Sequence, residues 1–132
     1  MKSKINFFFT CLLAVLFTAI GLVSCKDEGT FPVVIRVEEP VSAQTTLLDY
    51  MQGLQEEGEL TFSVENGLVT TLNGRKNAGN SYWMLYTSDS ANANEQWGVY
   101  EHEGQQLGSA LFGAETLIIA QGEVYVWVYQ SF

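Results

Sequence analysis

The sequence predicts an α+β domain in which one helix packs on a mixed or antiparallel sheet, and three observations carry that expectation. Runs of β-branched and aromatic residues recur between turn signals, at Val33-Val34-Ile35, Leu68-Val69-Thr70-Thr71-Leu72, Ser81 to Thr87 and Val124 to Tyr129. One stretch alone, with Leu47, Leu48, Met51 and Leu54, repeats its apolar residues at helical spacing. Asn-Gly pairs at Asn66-Gly67 and Asn73-Gly74 supply the tight-turn chemistry that joins antiparallel strands.

The chain opens on a segment that is not part of that domain. Lys2 and Lys4 precede an apolar run from Phe7 to Val23 interrupted only by Thr10, Thr18 and Gly21. At about 17 residues the run is shorter than the roughly 20 that span a bilayer, so residues 1–24 read as a signal peptide. Leu22-Val23-Ser24-Cys25 is similar to a lipobox. The resemblance implies that Cys25 is the lipidated residue and heads a mature, extracytoplasmic, membrane-anchored lipoprotein. Two or three acyl chains anchor firmly where one is marginal. Residues 25–31, polar from Lys26 to Thr30, read as a tether, leaving residues 32–132 for one small domain. Lys26 after Cys25 leaves sorting between an inner and an outer membrane open.

Within the domain, Pro32 is suited to starting a first strand, Val33 to Val37. Thr46 stands as a helix N-cap with Asp49 three residues on, and the helix ends near Gly53 or Gly58. Leu60 to Val64 and Leu68 to Leu72 flank Asn66-Gly67 as a hairpin. Ser81 to Thr87 is an aromatic-rich strand, and Ser88 to Gln96 reads as a polar loop. Trp97 to Tyr100 fits either a short strand or a ligand-facing turn, and the Gly-rich stretch Glu101 to Ala114 supports no assignment. Thr116 to Ala120 and Val124 to Tyr129 are the last extended runs. In the second, Val124, Val126 and Val128 alternate with Tyr125, Trp127 and Tyr129, and the aliphatic set is expected to face the core. This order of elements fits a β-grasp-like fold.

Composition excludes several classes of function. After Cys25 there are four basic and 15 acidic residues, a net charge of −11. Nucleic acid and anionic lipid headgroups are unsuitable partners for such a surface, so the lipid anchor is the expected membrane contact. Cys11 lies in the leader and Cys25 at its end, so the mature domain has no thiol for a disulfide, zinc site or nucleophile. His102 is the only histidine; it is either an axial ligand to a bound metal or, the better reading, an exposed residue in an acidic loop. No Gly-x-Ser-x-Gly elbow is present, Glu56, Glu57 and Glu59 suit a solvated helix end, and Asp89, Glu95, Glu101 and Glu103 lack EF-hand spacing. The chain is expected to be no enzyme and to carry no metal or covalent cofactor.

Leu72-Asn73-Gly74, Asn77, Tyr82-Trp83-Met84-Leu85-Tyr86, Gly98-Val99 and Gly122-Glu123, in this order and after the Thr46-Leu47-Leu48-Asp49 helix start, resemble the transcobalamin C-terminal-domain-like family. The resemblance covers about Val33 to Tyr129. It implies a β-grasp-like domain that closes over one face of a corrinoid, with Trp83 and the region of Trp97, Gly98, Val99 and Tyr100 facing the ligand. Cobalamin would then be a noncovalent ligand, passed to a transporter or shared with a second binding protein. This chain has no room for the helical barrel that holds the ligand's other face in the carriers, and Gln121 stands where the family turn begins with Asp. The alternative is a surface module that contacts another protein or a wall polymer. Clustering of Trp83, Trp97 and Tyr100 on one concave face would favour the corrinoid; their dispersal would favour the interaction module.

Overall fold

The computed structural model describes residues 30–132; the leader, Cys25 and tether residues 25–29 lie outside the described residues. Residues Pro32–Phe132 form one compact unit. Its elements are β1 (Val33–Arg36), α1 (Leu47–Glu56), β2 (Phe62–Glu65), β3 (Leu68–Leu72), β4 (Arg75–Lys76), β5 (Ser81–Thr87), a 3-10 turn (Ser90–Asn92), β6 (Ala93–His102), β7 (Gln105–Ala110) and β8 (Val124–Ser131). Five strands form one sheet in the order β1-β8-β5-β7-β6, and β2-β3-β4 form a second. Every strand pairing is antiparallel. No helix among the described residues is long and apolar enough to cross a membrane.

The β-grasp-like α+β expectation is thereby corrected: the domain is mainly β, eight strands in two sheets with one ten-residue helix. Two segments account for the difference. Ala93 to Ala110, read as the end of a polar loop, a short strand or turn at Trp97 to Tyr100, and unassigned glycine-rich chain, is the long β6–β7 hairpin. Its polar and apolar residues alternate across a strand pair, and its tight turn is Glu103-Gly104, with φ of 52° and 80°, rather than an Asn-Gly pair. Conversely, Thr116 to Ala120 is no strand. It makes only an isolated bridge, Thr46 to Ile118, and its backbone serves the helix start through Leu47 N–H donating to Leu117 C=O (2.8 Å) and Ile119 N–H donating to Thr45 C=O (3.0 Å).

The expected elements form for the expected reasons elsewhere. Thr46 caps α1 in a capping box, its Oγ1 accepting from Asp49 N–H (3.1 Å) while Asp49 Oδ2 accepts from Thr46 N–H (3.2 Å). Leu47 and Met51 on one face of α1 are fully buried. Asn66-Gly67 and Asn73-Gly74 both adopt positive φ and turn β2 into β3 and β3 into β4.

β8 lies between β1 and β5 and is buried on both faces. Tyr125 and Trp127 join Ile35, Trp83, Leu85, Met51, Leu72 and Leu117 in the larger core, under α1 and the small sheet. Val124 and Val126 join Tyr86 and Leu107 in a second core on the opposite face, with Tyr100 and Met84 packed beside them. The aliphatic face is core as expected, and the aromatic face is interior as well.

The second core is closed by the β6–β7 hairpin. In a flat sheet β6 would stand four strand spacings, about 19 Å, from β1. Yet Arg36 of β1 reaches His102 and Glu103 at the hairpin tip, donating from Nη2 to His102 Nε2 (3.2 Å) and to Glu103 Oε1 (2.5 Å). The bend comes from a bulge in which the register jumps from Asn94 opposite Ser109 to Val99 opposite Gly108. Gly108 permits it, since a Cβ there would stand 3.0 Å from Ala93 Cβ and 3.2 Å from Glu95 Cγ.

Two outcomes follow from this packing. Met51→Ala removes a fully buried side chain that α1 contributes to the larger core, and urea denaturation should show a loss of about 2–5 kcal/mol. Tyr125 has its phenol pKa raised above 10.0, first by burial and then by the Asp89 and Glu123 carboxylates, against the Ala120 N–H that lowers it. A raised pKa in the folded state means stability is intact below the unfolded value and is lost as pH rises through the folded one. Denaturation midpoints should therefore hold steady up to about pH 10 and fall above it. Tyr125→Phe should shift the midpoint down at neutral pH, because Ala120 N–H loses its acceptor, while reducing the alkaline slope.

Candidate functional site

β5 is the element that opens a site. On one side it pairs with β8 along its whole length, from Ser81 opposite Ser131 to Thr87 opposite Tyr125. On the other it pairs with β7 only at Tyr86 and Thr87, and a bridge from Ala78 to Ser81 covers its start. Between these points, residues 82–85 have no strand partner on that side. Beside this stretch lies a cleft of about 370 Å³, bounded by β3 at Gly67 to Val69, by Tyr82 to Leu85 of β5, and by the chain leaving β7 from Ser109 to Ala114.

Trp83 forms the back wall and is fixed from three directions. Its indole Nε1–H donates to Arg75 C=O (2.7 Å), its backbone N–H donates to Asn77 Oδ1 (2.9 Å), and its ring meets Tyr129 edge-on at 5.1 Å between centroids. Asn77 is held in turn by its own N–H donating to Thr70 C=O (2.8 Å), and Tyr129 by its hydroxyl donating to Lys76 C=O (2.7 Å) beneath the Arg75 guanidinium, 4.7 Å above the ring. At the rim stand Leu68, Tyr82 and Phe112, which are 62%, 44% and 49% exposed. A rigid aromatic wall with exposed apolar rims is suited to holding an apolar group by burial and ring contact. Two further recesses, of about 190 Å³ beside β1 and α1 and about 160 Å³ at the hairpin tip, are smaller.

The sequence-chosen residues are not gathered at one place. Trp83 lies in the cleft wall, only 6% exposed. Trp97, 64% exposed, and Val99 point outward from β6. Gly98, at φ 154°, lies against the ring of Tyr86, where a Cβ would stand 3.6 Å from Cε1. Tyr100 is half-buried on the inner side of the hairpin, stacked on Tyr86 at 5.6 Å. None of these four lines the cleft. Cys25 lies outside the described residues. His102 is engaged with Arg36 and stands 3.7 Å from Glu103, and among the described residues no group of three His, Cys, Asp or Glu side chains converges to hold a metal ion.

Sequence reasoning missed Leu68, Tyr82 and Phe112 as a group. Tyr82 was visible as the partner set to Trp83 in an alternating strand, but Phe112 sat in the unassigned glycine-rich stretch, and only the fold brings Leu68 beside it.

No family model, no curated protein and no solved structure matches the chain. The transcobalamin-like resemblance accordingly rests on the sequence motifs alone.

Asn77 is the residue whose loss should loosen the wall without emptying it. Asn77→Ala leaves the part-buried Trp83 N–H without its acceptor, so stability should fall by about 1–3 kcal/mol. Hydrogen exchange at the Trp83 amide should accelerate, whereas Asn77→Asp, which keeps the acceptor oxygen, should retain slow exchange.

Proposed function

We propose that this chain is a non-catalytic binding module, held outside the cytoplasm through Cys25, whose recognition site is the cleft beside β5. The observation that carries this reading is the coincidence of an aromatic-backed cleft with a ring of exposed Leu68, Tyr82 and Phe112. Exposed apolar side chains gathered in one concavity mark interaction sites, whereas single exposed ones do not.

The volume, about 370 Å³, stands at the small end of the roughly 300–1,000 Å³ of ligand pockets. It suits one or two side chains or a small planar group better than a corrinoid macrocycle. The dispersal of Trp83, Trp97 and Tyr100 between core wall, outer surface and hairpin interior points the same way. Of the two functions the sequence raised, a surface interaction module is thus better supported than a cobalamin receptor, and no transporter is needed to complete it. His102, bonded to Arg36, is unsuited to serve as an axial ligand to cobalt without breaking that contact.

A ¹H–¹⁵N NMR titration of the full chain in detergent micelles tests the reading, with indole as a probe of the aromatic cleft and cobinamide as a probe of the corrinoid alternative. Indole should shift the amides of Tyr82 to Leu85 and Ser109 to Ala114, and Phe112→Ala should weaken the effect several-fold. Indole shifts confined to Trp97 to Tyr100, or cobinamide shifts there that vanish in Trp97→Ala, would return the corrinoid reading and remove the cleft from its role.

A further inference from the structure

The unpaired stretch of β5 offers more than an apolar surface, because its backbone hydrogen-bonding groups are available in a particular pattern. Successive residues of a strand direct their N–H and C=O groups to opposite edges. Ser81 turns both groups away from β8, since it exchanges hydrogen bonds with Ala78 (2.9 and 3.1 Å). Trp83, Leu85 and Thr87 therefore face the same way, into the cleft side. Of these groups the Trp83 N–H is already taken by Asn77 Oδ1, and Thr87 pairs with Gly108. The Leu85 C=O is taken by β7, because the Tyr86–Ser109 pair, with Tyr86's own groups turned to β8, is closed through Leu85 C=O and Ala110 N–H. What Asn77 and β7 leave toward the cleft is the acceptor of Trp83 followed two residues on by the donor of Leu85.

That pair has one strand solution. An antiparallel partner at Trp83 would need the N–H that Asn77 occupies, and one at Leu85 the C=O that β7 occupies. A parallel partner centred on Met84 needs only an acceptor at Trp83 and a donor at Leu85, both met by the N–H and C=O of a single incoming residue. Asn77 and β7 together thus select strand direction: by holding the Trp83 donor and the Leu85 acceptor they leave a two-point clip for a segment that runs parallel to β5.

The charge of the surface indicates which segment. Residues 30–132 carry 13 acidic against three basic side chains, net −10. All three cations are engaged, Arg36 with Glu103, Arg75 over the Tyr129 ring and Lys76 with Glu65 at 3.9 Å. At the cleft itself the Glu115 carboxylate lies against Gly67 on the β3 rim. Such a field draws cationic segments and repels acidic ones.

Resting on the cleft being the recognition site, the geometry points to an extended, basic polypeptide segment of another protein as its occupant. The segment adds as a short parallel strand to β5, clipped at Trp83 C=O and Leu85 N–H, with an apolar side chain seated between Leu68, Tyr82 and Phe112.

The probe is acetyl-Lys-Val-Leu-Val-Lys-amide, titrated into the full chain in detergent micelles and followed by amide shifts and tryptophan fluorescence. The peptide should shift Leu85 N–H and the Ser109 to Ala114 amides. N-methylation of its Leu, which removes the donor to Trp83 C=O and keeps every side chain, should weaken binding about tenfold or more. Replacing both Lys by Glu should do the same, Phe112→Ala should weaken binding several-fold, and Trp97→Ala should change nothing.

Equal affinity for the N-methylated peptide would overturn strand addition, and equal affinity for the Glu peptide would overturn the basic specificity. No binding at about 1 mM, with indole still occupying the cleft, would refute the peptide assignment and leave the binding-module reading standing; failure of both probes would refute both. Concentration-dependent self-association in sedimentation that excludes the peptide would give the edge to a second copy of this chain and overturn the proposal.

Discussion

The burial of β8 on both faces is the constraint from which the rest of the domain follows. A strand with one face in solvent needs a single covering layer; β8 presents Tyr125 and Trp127 on one side and Val124 and Val126 on the other, all interior. Each such side chain contributes on the order of 1.5–3 kcal/mol when removed from water, so leaving either face uncovered would consume much of the margin of a domain this size. The chain supplies two covers. On the aromatic face it places α1 and the β2-β3-β4 sheet, attached through Trp83 and Tyr129 to the carbonyls of Arg75 and Lys76. On the aliphatic face it folds back the end of its own sheet.

The second cover creates the site. To bring Leu107 and Tyr100 over Val124 and Val126, the β6–β7 hairpin bends at its bulge and crosses toward Arg36. β7 consequently runs alongside β5 for two residues only, and the remainder of that edge is left beside the cleft. Edge strands invite pairing with foreign chains, and proteins ordinarily obstruct them. Here the obstruction is partial: Asn77 occupies one donor and the Ala78 bridge covers Ser81, while the middle stays accessible. Closure of one core and opening of one edge are two results of the same bend.

Much of the local structure was legible in the sequence. Thr46 with Asp49 located the helix start, both Asn-Gly pairs became turns at positive φ, and Ser81 to Thr87 is a strand over the residues expected. Those signals are short-range, and their physics is complete within a few residues. The fold class was not legible, because it turned on Ala93 to Ala110, where a glycine at the bulge and charged residues at a hairpin tip suppress the usual strand pattern. Ile118 shows the reverse error, since a β-branched run there pairs with the helix start instead of a sheet. The candidate site was half legible. Of the residues that the resemblance named as ligand-facing, Trp83 lines the cleft and Trp97 to Tyr100 do not, while the cleft's other walls lie in separate segments that only the tertiary fold joins.

The position of β8 also orders events in time. Val33 pairs with Trp127 and Val126 with Tyr86, so the first strand and the fifth meet only through a strand that is synthesised after both. Until Val124 to Ser131 is present, β1 has no neighbour and neither core can close, which ties assembly to contacts of long sequence separation and the slow loop closure they require. Hairpins such as β2–β3 can flicker into being earlier, but an isolated hairpin is marginal in water. A chain wired in this way stays open until its eighth strand has been made, and its two cores then close together around that one strand.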